Sequence, residues 1–335
     1  MKQLFIAIVA LLIALPALAA PQVGSYSWEF DLSKHNLREK AELWIPYPVS
    51  NAEQLISHIS WDGTFSEAAV YTDRAFATPM LYVAWDKGVK QRKFLFTFQA
   101  ERIEQVKRDF PKTSLKVDPH GFEPYLAPTK LGPITGEVKK LADKITAGKT
   151  DTLDKARAIY DWTVANTYRD PDTSGCGLGD VTALLKRPGG KCADISSIFI
   201  ALARAAGVPT REILGIRTGK NEIQDVTKWQ HCWAEFYLPG YGWVPVDPAD
   251  VRKAMLKQNL ELSDPRVAKL RDYFWGRVDQ YRIKLSEGRD LQLNPPQHGD
   301  AVNYLMYPFA QIGDKTLDWL DPEGFSYKIT WMPQK

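Results

Sequence analysis

The stretch from Gly189 to Gly207, Gly-Gly-Lys-Cys-Ala-Asp-Ile-Ser-Ser-Ile-Phe-Ile-Ala-Leu-Ala-Arg-Ala-Ala-Gly, constrains the chain more than any other. Ile195, Ile198, Phe199, Leu202 and Ala206 follow the i, i+3, i+4, i+7 spacing of one buried helical stripe, and Gly207 with Pro209 ends it. Two glycines therefore feed a helix that begins at a cysteine. At a helix N-terminus the unpaired N–H groups and the positive end of the macrodipole favour a thiolate over a thiol. Gly189 and Gly190 leave room beside Cys192 for another backbone.

A nucleophilic cysteine needs a base to take its proton and a group to orient that base. His231 lies in the β-like run Trp-Gln-His-Cys-Trp-Ala-Glu-Phe-Tyr-Leu, and Asp247 ends Tyr-Gly-Trp-Val-Pro-Val-Asp-Pro. The two runs read as a hairpin joined through Pro239-Gly240-Tyr241. Alternation puts His231, Trp233, Glu235 and Tyr237 on one face, with Cys232, Ala234, Phe236 and Leu238 on the other. A three-residue loop at 239–241 sets Asp247 opposite Trp233, diagonal to His231 and on its face. A loop of two or four residues without a bulge sets it on the wrong one.

These pieces together resemble the transglutaminase-like superfamily, a group related to papain. The matching residues are Gly-Gly-Lys-Cys-Ala-Asp at 189–194, the helix, Gly-Val-Pro-Thr-Arg at 207–211, His231 on a strand, and Trp-Val-Pro-Val-Asp-Pro at 243–248. The likeness covers roughly residues 135–250, and the order cysteine, histidine, aspartate agrees with it. It implies an α+β fold with a papain/transglutaminase-like catalytic core. It also implies Cys192 as nucleophile, His231 as base and Asp247 as the base's partner.

Residues 1–19 carry Lys2, an apolar run from Leu4 through Leu15, and Ala17-Leu18-Ala19 as a small-residue cleavage site, which reads as a secretory signal peptide. No cysteine follows for a lipid anchor, and no later apolar run approaches the ~20 residues of a membrane span. The expectation is a periplasmic or secreted protein that is not integral to a membrane. The formal charge is +3, or +2 without Lys2, with signs interspersed and no basic block, so nothing points to nucleic acid.

Three cysteines leave an odd thiol however they pair. A Cys176–Cys232 bridge would leave Cys192 free; without a bridge all three can be buried small hydrophobes. Spacing cannot choose between these, because a disulfide depends on geometry. Joint metal ligation by Cys176, His231 and Cys232 lacks the close-spaced pairs of a zinc site, and no acidic loop of the EF-hand type is present, so no cofactor is implied.

From Val23 to about Arg102 the period is two: Tyr26, Trp28 and Phe30 alternate, as do Leu81, Val83 and Trp85, then Phe94, Phe96 and Phe98. Residues 20–105 are read as an N-terminal antiparallel β-sandwich-like domain whose aromatic stripes are core. The proline-rich 106–134 is a linker or crossing loop, and residues 135–335 form the catalytic domain, with helices at about 136–147 and 151–166. Three glycines, Gly175, Gly177 and Gly179, lack the Gly-Lys-Ser/Thr ending of a phosphate loop and read as a mobile loop entering a short helix capped by Asp180. Insertion 251–300 reads as a flap over the cleft. Strands at about 279–285 and around Phe325, Tyr327, Ile329 and Trp331 are expected to complete the catalytic domain's sheet or barrel.

The chemistry expected is acyl transfer by attack of Cys192 on an amide carbonyl of a protein or peptide substrate, the Cys192 N–H helping to hold the oxyanion. Water as acceptor makes a peptidase or amidase, an amine makes a transglutaminase, and an enzyme releasing glycans from asparagine uses the same triad. The alternative is a non-catalytic papain-like module that binds peptides or proteins. Asp194 and Glu235 are weaker site candidates, a carboxylate in the first turn of a helix being explained by the dipole alone. Arg211 can guide an acyl group's carboxylate but is read as a structural salt bridge, and Trp162 and Tyr168 can line the acyl pocket or the oxyanion hole but are read as packing at a helix end.

Overall fold

The structure, a computed structural model, describes residues 20–111 and 115–334; the signal peptide read at 1–19 lies outside the described residues. The period-two aromatics assemble two facing antiparallel sheets. In spatial order the first contains Gln224–Asp225, Tyr327–Pro333, Gln22–Asp31, Lys93–Arg102 and Gln54–Gly63. The second contains Lys315–Thr316, Phe309–Ile312, Ala41–Pro46, Pro79–Trp85 and Glu67–Thr72. Tyr26, Trp28 and Phe30 lie opposite Phe98, Phe96 and Phe94 on one side and opposite Trp331, Ile329 and Tyr327 on the other. All nine share one core with Leu43, Ile45, Leu81, Val83 and Trp85 of the second sheet. Each large side chain so buried contributes about 1.5–3 kcal/mol.

The strand Tyr327–Pro333 therefore does not complete the catalytic sheet, as its position in sequence suggested. It pairs with Gln22–Asp31, because its apolar face continues the aromatic ladder there, Tyr26 meeting Trp331 edge-on at 5.0 Å.

The sheet of the expected catalytic domain has four antiparallel strands in the order Gly242–Val246, Gln230–Leu238, Thr210–Arg217 and Arg282–Glu287. Helices Gly136–Ile145, Thr152–Asn166 and Pro248–Gln258 surround the helix Cys192–Ala205, which packs on the sheet through Ala234, Phe236 and Leu238. Asp151 caps the Thr152–Asn166 helix by accepting from the Leu153 and Asp154 N–H groups. Helices and antiparallel sheets together make the α+β fold expected. Every residue of Cys192–Ala205 is buried, where the stripe alone required one face, because sheet, helices and the preceding glycine loop enclose it.

Segment 251–300 is not a flap. It finishes the Pro248–Gln258 helix, forms the helix Pro265–Tyr273, supplies the edge strand Arg282–Glu287, and then lays Leu291 and Leu293 on the outer face of the second sandwich sheet beside Trp44 and Tyr82. A strand whose neighbours are buried on both faces cannot lift away without exposing them. The crossing segment docks beside the four-stranded sheet: Gln105–Val106 pairs with Arg277–Val278 as a separate two-stranded ribbon, and Phe122 and Tyr125 pack on Tyr237 and Trp243 of the sheet at ring distances of 4.4 and 4.9 Å.

Candidate active site

Cys192 is the first residue of its helix. The Asp194 carboxylate accepts the Lys191 N–H at 3.0 Å and the Gly179 N–H at 2.8 Å, fixing the turn that delivers the cysteine. The glycine loop read as mobile is instead pinned at four successive residues. Ala193 N–H donates to the Cys176 carbonyl (2.9 Å), Tyr304 Oη to that of Gly177 (2.8 Å), Arg289 Nη1 to that of Leu178 (2.7 Å), and Gly179 donates to Asp194. Glycine is required at 177, where φ is +89° and a Cβ would stand 1.8 Å from Asp194 Oδ2. Asp180 caps the helix Val181–Leu184, as its sequence suggested.

The three cysteines are free, buried and clustered with Tyr304, Met306 and Tyr307, so the Cys176–Cys232 bridge left open by the sequence is not formed. The neighbouring Cys176 and Cys232 sulfurs, together with the hydrogen bond and charge of His231, hold the Cys192 thiol well below its ordinary range against the opposing effect of burial, while the Cys176 S–H itself donates to the Gln230 carbonyl at 3.4 Å. Cys176 is pushed up by its bond to Cys192 and by burial, Cys232 by burial and then by Cys192. The opposite directions of these shifts favour Cys192, the sulfur at the helix N-terminus, as the one that ionises first. Cys192 is 2 % exposed, less than the partial exposure expected of a working nucleophile.

The hairpin has the register that its loop length demands. Leu238 pairs with Gly242 and Ala234 with Val246 around the loop 239–241, so the next position of the ladder sets Asp247 opposite Trp233. Cys232 faces the thiol cluster, whereas Trp233 joins Ile213 and Val278 on the other side. Asp247 is wholly buried and divides its oxygens between two tasks. Oδ1 caps the Pro248–Gln258 helix by accepting the Asp250 N–H at 2.8 Å, and Oδ2 accepts from His231 Nε2 at 2.8 Å. With Nε2 committed, Nδ1 is the ring nitrogen left for exchange with the thiol.

Sequence reasoning missed Arg282. Its wholly buried guanidinium bonds Asp247 Oδ2 through Nη1, and through Nη2 it bonds Asp250 Oδ2 at 2.9 Å and Asp279 Oδ2 at 2.7 Å. Arg217 Nη2 adds contacts of 2.7 and 2.6 Å to the two oxygens of Asp250. Burial would raise the Asp250 carboxyl, yet Arg217, His231 and Arg282 hold it well below the usual carboxylate range. One signal was present: Asp247 and Asp250 stand three apart at a helix start, a spacing that brings two carboxylates to one end. Donor atoms of His231, Asp247 and Asp250 lie within 4.8 Å of one another, close enough to hold a cation, but the Arg282 guanidinium already supplies positive charge to both carboxylates.

The residues read as structural are occupied structurally. Glu235 pairs with Arg211 at 2.7 Å, and Arg211 also reaches Glu287 at 3.2 Å and stacks over Trp243. Trp162 packs against the helical core, and the Tyr168 ring fills the space beside Gly189.

Residues 139–248 match the model of the transglutaminase-like superfamily. An uncharacterized protein of Haemophilus influenzae is 34% identical over 319 residues, which cover 86% of this chain and 85% of that one. A protein-glutamine gamma-glutamyltransferase of Pseudomonas aeruginosa is 30% identical over 105 residues, 29% of this chain and 15% of that one. A solved structure from Cytophaga hutchinsonii, described provisionally as a cysteine protease, superposes with a TM-score of 0.55 at 15% identity, covering 94% of this chain and 99% of that chain. Its likeness concerns the fold, and it spans sandwich and catalytic sheet together. The chain belongs to the transglutaminase-like superfamily. Among the described residues no helix is long and apolar enough to cross a membrane.

Proposed function

We propose that this protein is an exported cysteine-dependent acyl-transfer enzyme, a peptidase or amidase acting through a thioester on Cys192. The observation that carries the reading is the single low-lying thiol at a helix N-terminus, served by a histidine whose far nitrogen is held by a buried aspartate. The Cys192 thiolate attacks an amide carbonyl of a protein or peptide, and the Cys192 N–H, which has no carbonyl of its own helix to bond, faces the developing oxyanion. His231 as imidazolium returns the proton to the departing amine through Nδ1 while Asp247 holds the ring. Water then releases the acyl group; an amine in its place would make the reaction a transamidation.

Iodoacetamide labelling of the native protein from about pH 4.5 to about pH 9, with sites read by peptide mass spectrometry, tests this. Fast labelling of Cys192 well below the ordinary thiol value of about 8.5, slowed in His231→Ala, is the expected result. A Cys192 that labels only after unfolding would overturn the reading and favour a non-catalytic peptide-binding module, consistent with its burial.

A further inference from the structure

Two cations flank the Cys192 turn without a carboxylate of their own. Arg169 closes the short strand Tyr168–Arg169, which pairs in parallel with Gly189–Gly190, so that Arg169 lies opposite Gly190, two residues before the cysteine. Lys253 lies on the Pro248–Gln258 helix that Asp247 caps, one turn beyond Asp250, and this helix packs against the Arg169 strand. Both side chains are half-buried, and among the described residues neither makes a hydrogen bond or an ion pair. The carboxylates within reach are already committed: Asp247 to His231 and Arg282, Asp250 to Arg217 and Arg282, and Asp170 to Arg187 at 3.9 Å.

Four other buried or half-buried arginines behave differently. Arg211, Arg217, Arg282 and Arg289 each have a carboxylate partner. Arg169 also acts on the Cys176 thiol, which touches Cys192, and Lys253 acts on Asp250, which lies 3.8 Å from His231 Nε2. The pair is therefore carried by two elements that pack against each other beside the Cys192 turn. Burial, and then the charge of Arg217, push the Lys253 ammonium down against the opposing charge of Asp250, with Arg169 adding to the downward effect.

We propose that Arg169 and Lys253 form an anion subsite beside Cys192 and that the acyl donor is an acidic peptide, one presenting a free carboxylate next to the amide that is attacked. This rests on Cys192 being the nucleophile. An arginine fork and a lysine point charge, both partly withdrawn from water, suit a carboxylate. They also oppose the approach of a second ammonium, which sets water above a lysine side chain as the acceptor of the thioester.

The test compares two alkylating reagents of similar size. Iodoacetate carries a carboxylate and iodoacetamide does not; with either, the thiolate sulfur forms a bond to carbon as the carbon–iodine bond breaks and iodide leaves. The readout is the ratio of their rates at Cys192 near neutral pH, in which the nucleophilicity of the thiolate cancels. The native protein is expected to favour iodoacetate. Arg169→Gln and Lys253→Gln should each lower the ratio roughly 10- to 100-fold, the loss of one partly desolvated charged hydrogen bond. Arg169→Lys and Lys253→Arg should restore most of it, and added salt should erode it. Lys87→Gln, a change at an exposed cation of the sandwich whose partner is Glu39, serves as control and should leave the ratio alone. A ratio unmoved by either glutamine variant while Cys192 still reacts with both reagents overturns the subsite alone. A Cys192 inert to both reagents overturns the nucleophile and the subsite with it.

Discussion

Arg282→Met replaces a buried guanidinium with an apolar chain of similar reach. Asp250 keeps Arg217, but Asp247 retains only His231 and the Asp250 N–H, and Asp279 loses the cation it bonds through both Nε (3.2 Å) and Nη2 (2.7 Å). Removing one member of a buried ionic network costs about 3–5 kcal/mol, because the remaining charges stay out of water. Against a total of about 5–15 kcal/mol this is a large share, and it corresponds to a fall in melting temperature of roughly 10 °C. The sign of the pH dependence makes the prediction sharper. In the native protein Arg282 helps hold the Asp250 and Asp279 carboxyls below their unfolded value, despite the opposing effect of burial. Their stabilisation is therefore complete above about pH 4 and is lost as pH falls through the lower folded value. In Arg282→Met the half-buried Asp279 carboxyl keeps only the weaker pull of Arg217 against desolvation and the Asp250 charge, so its folded value moves above the unfolded one. The variant should regain stability as pH falls from 7 toward 5, while the native protein does not. Urea denaturation at several pH values measures both curves. A deficit under about 1 kcal/mol at pH 7, or one that does not change with pH, would refute the assignment of Arg282 as the charge that balances this site.

Asp247→Asn should leave the helix cap largely in place through Oδ1 but remove the negative charge from His231, slowing iodoacetamide labelling of Cys192 roughly 100-fold near neutral pH. Gly177→Ala puts a methyl group on Asp194 at a φ of +89°, and should cost about 2 kcal/mol or more in urea titration while loosening the Cys192 turn. Glu235→Gln leaves Arg211 paired with Glu287, so stability should fall by about 1 kcal/mol with the Cys192 labelling rate unchanged.

Local rules account for most of what could be read from the sequence. Alternation at Tyr26, Trp28 and Phe30 and at Phe94, Phe96 and Phe98 named the inward faces of two strands that lie side by side, because a half-buried strand carries its orientation in its own residues. The 239–241 loop length carried the hairpin register and hence the side of the sheet on which Asp247 falls. Arg282 was not legible, since its three carboxylate partners lie three to thirty-five residues away and a single strand arginine has no period. The same limit applies to Tyr327–Pro333: its alternation marked an inward face without saying which sheet it would join. The glycine loop was misjudged for a third reason. Glycines serve close approach as well as freedom, and only the neighbours of Gly177 and Gly179 decide which.

The pairing of Gln22–Asp31 with Tyr327–Pro333 makes the sandwich a clasp around everything synthesised between those strands. As a chain grows from its N-terminus, the aromatic edge formed by Tyr26, Trp28 and Phe30 must wait for the last strand, although the Cys192 helix and its sheet have all their residues by Glu287. The reactive core can therefore close first and the sandwich last, a long-range pairing that folds slowly. A chain stopped short of Tyr327 would keep its thiols enclosed yet present an unpaired apolar strand edge, the feature by which incomplete molecules aggregate or are recognised and removed.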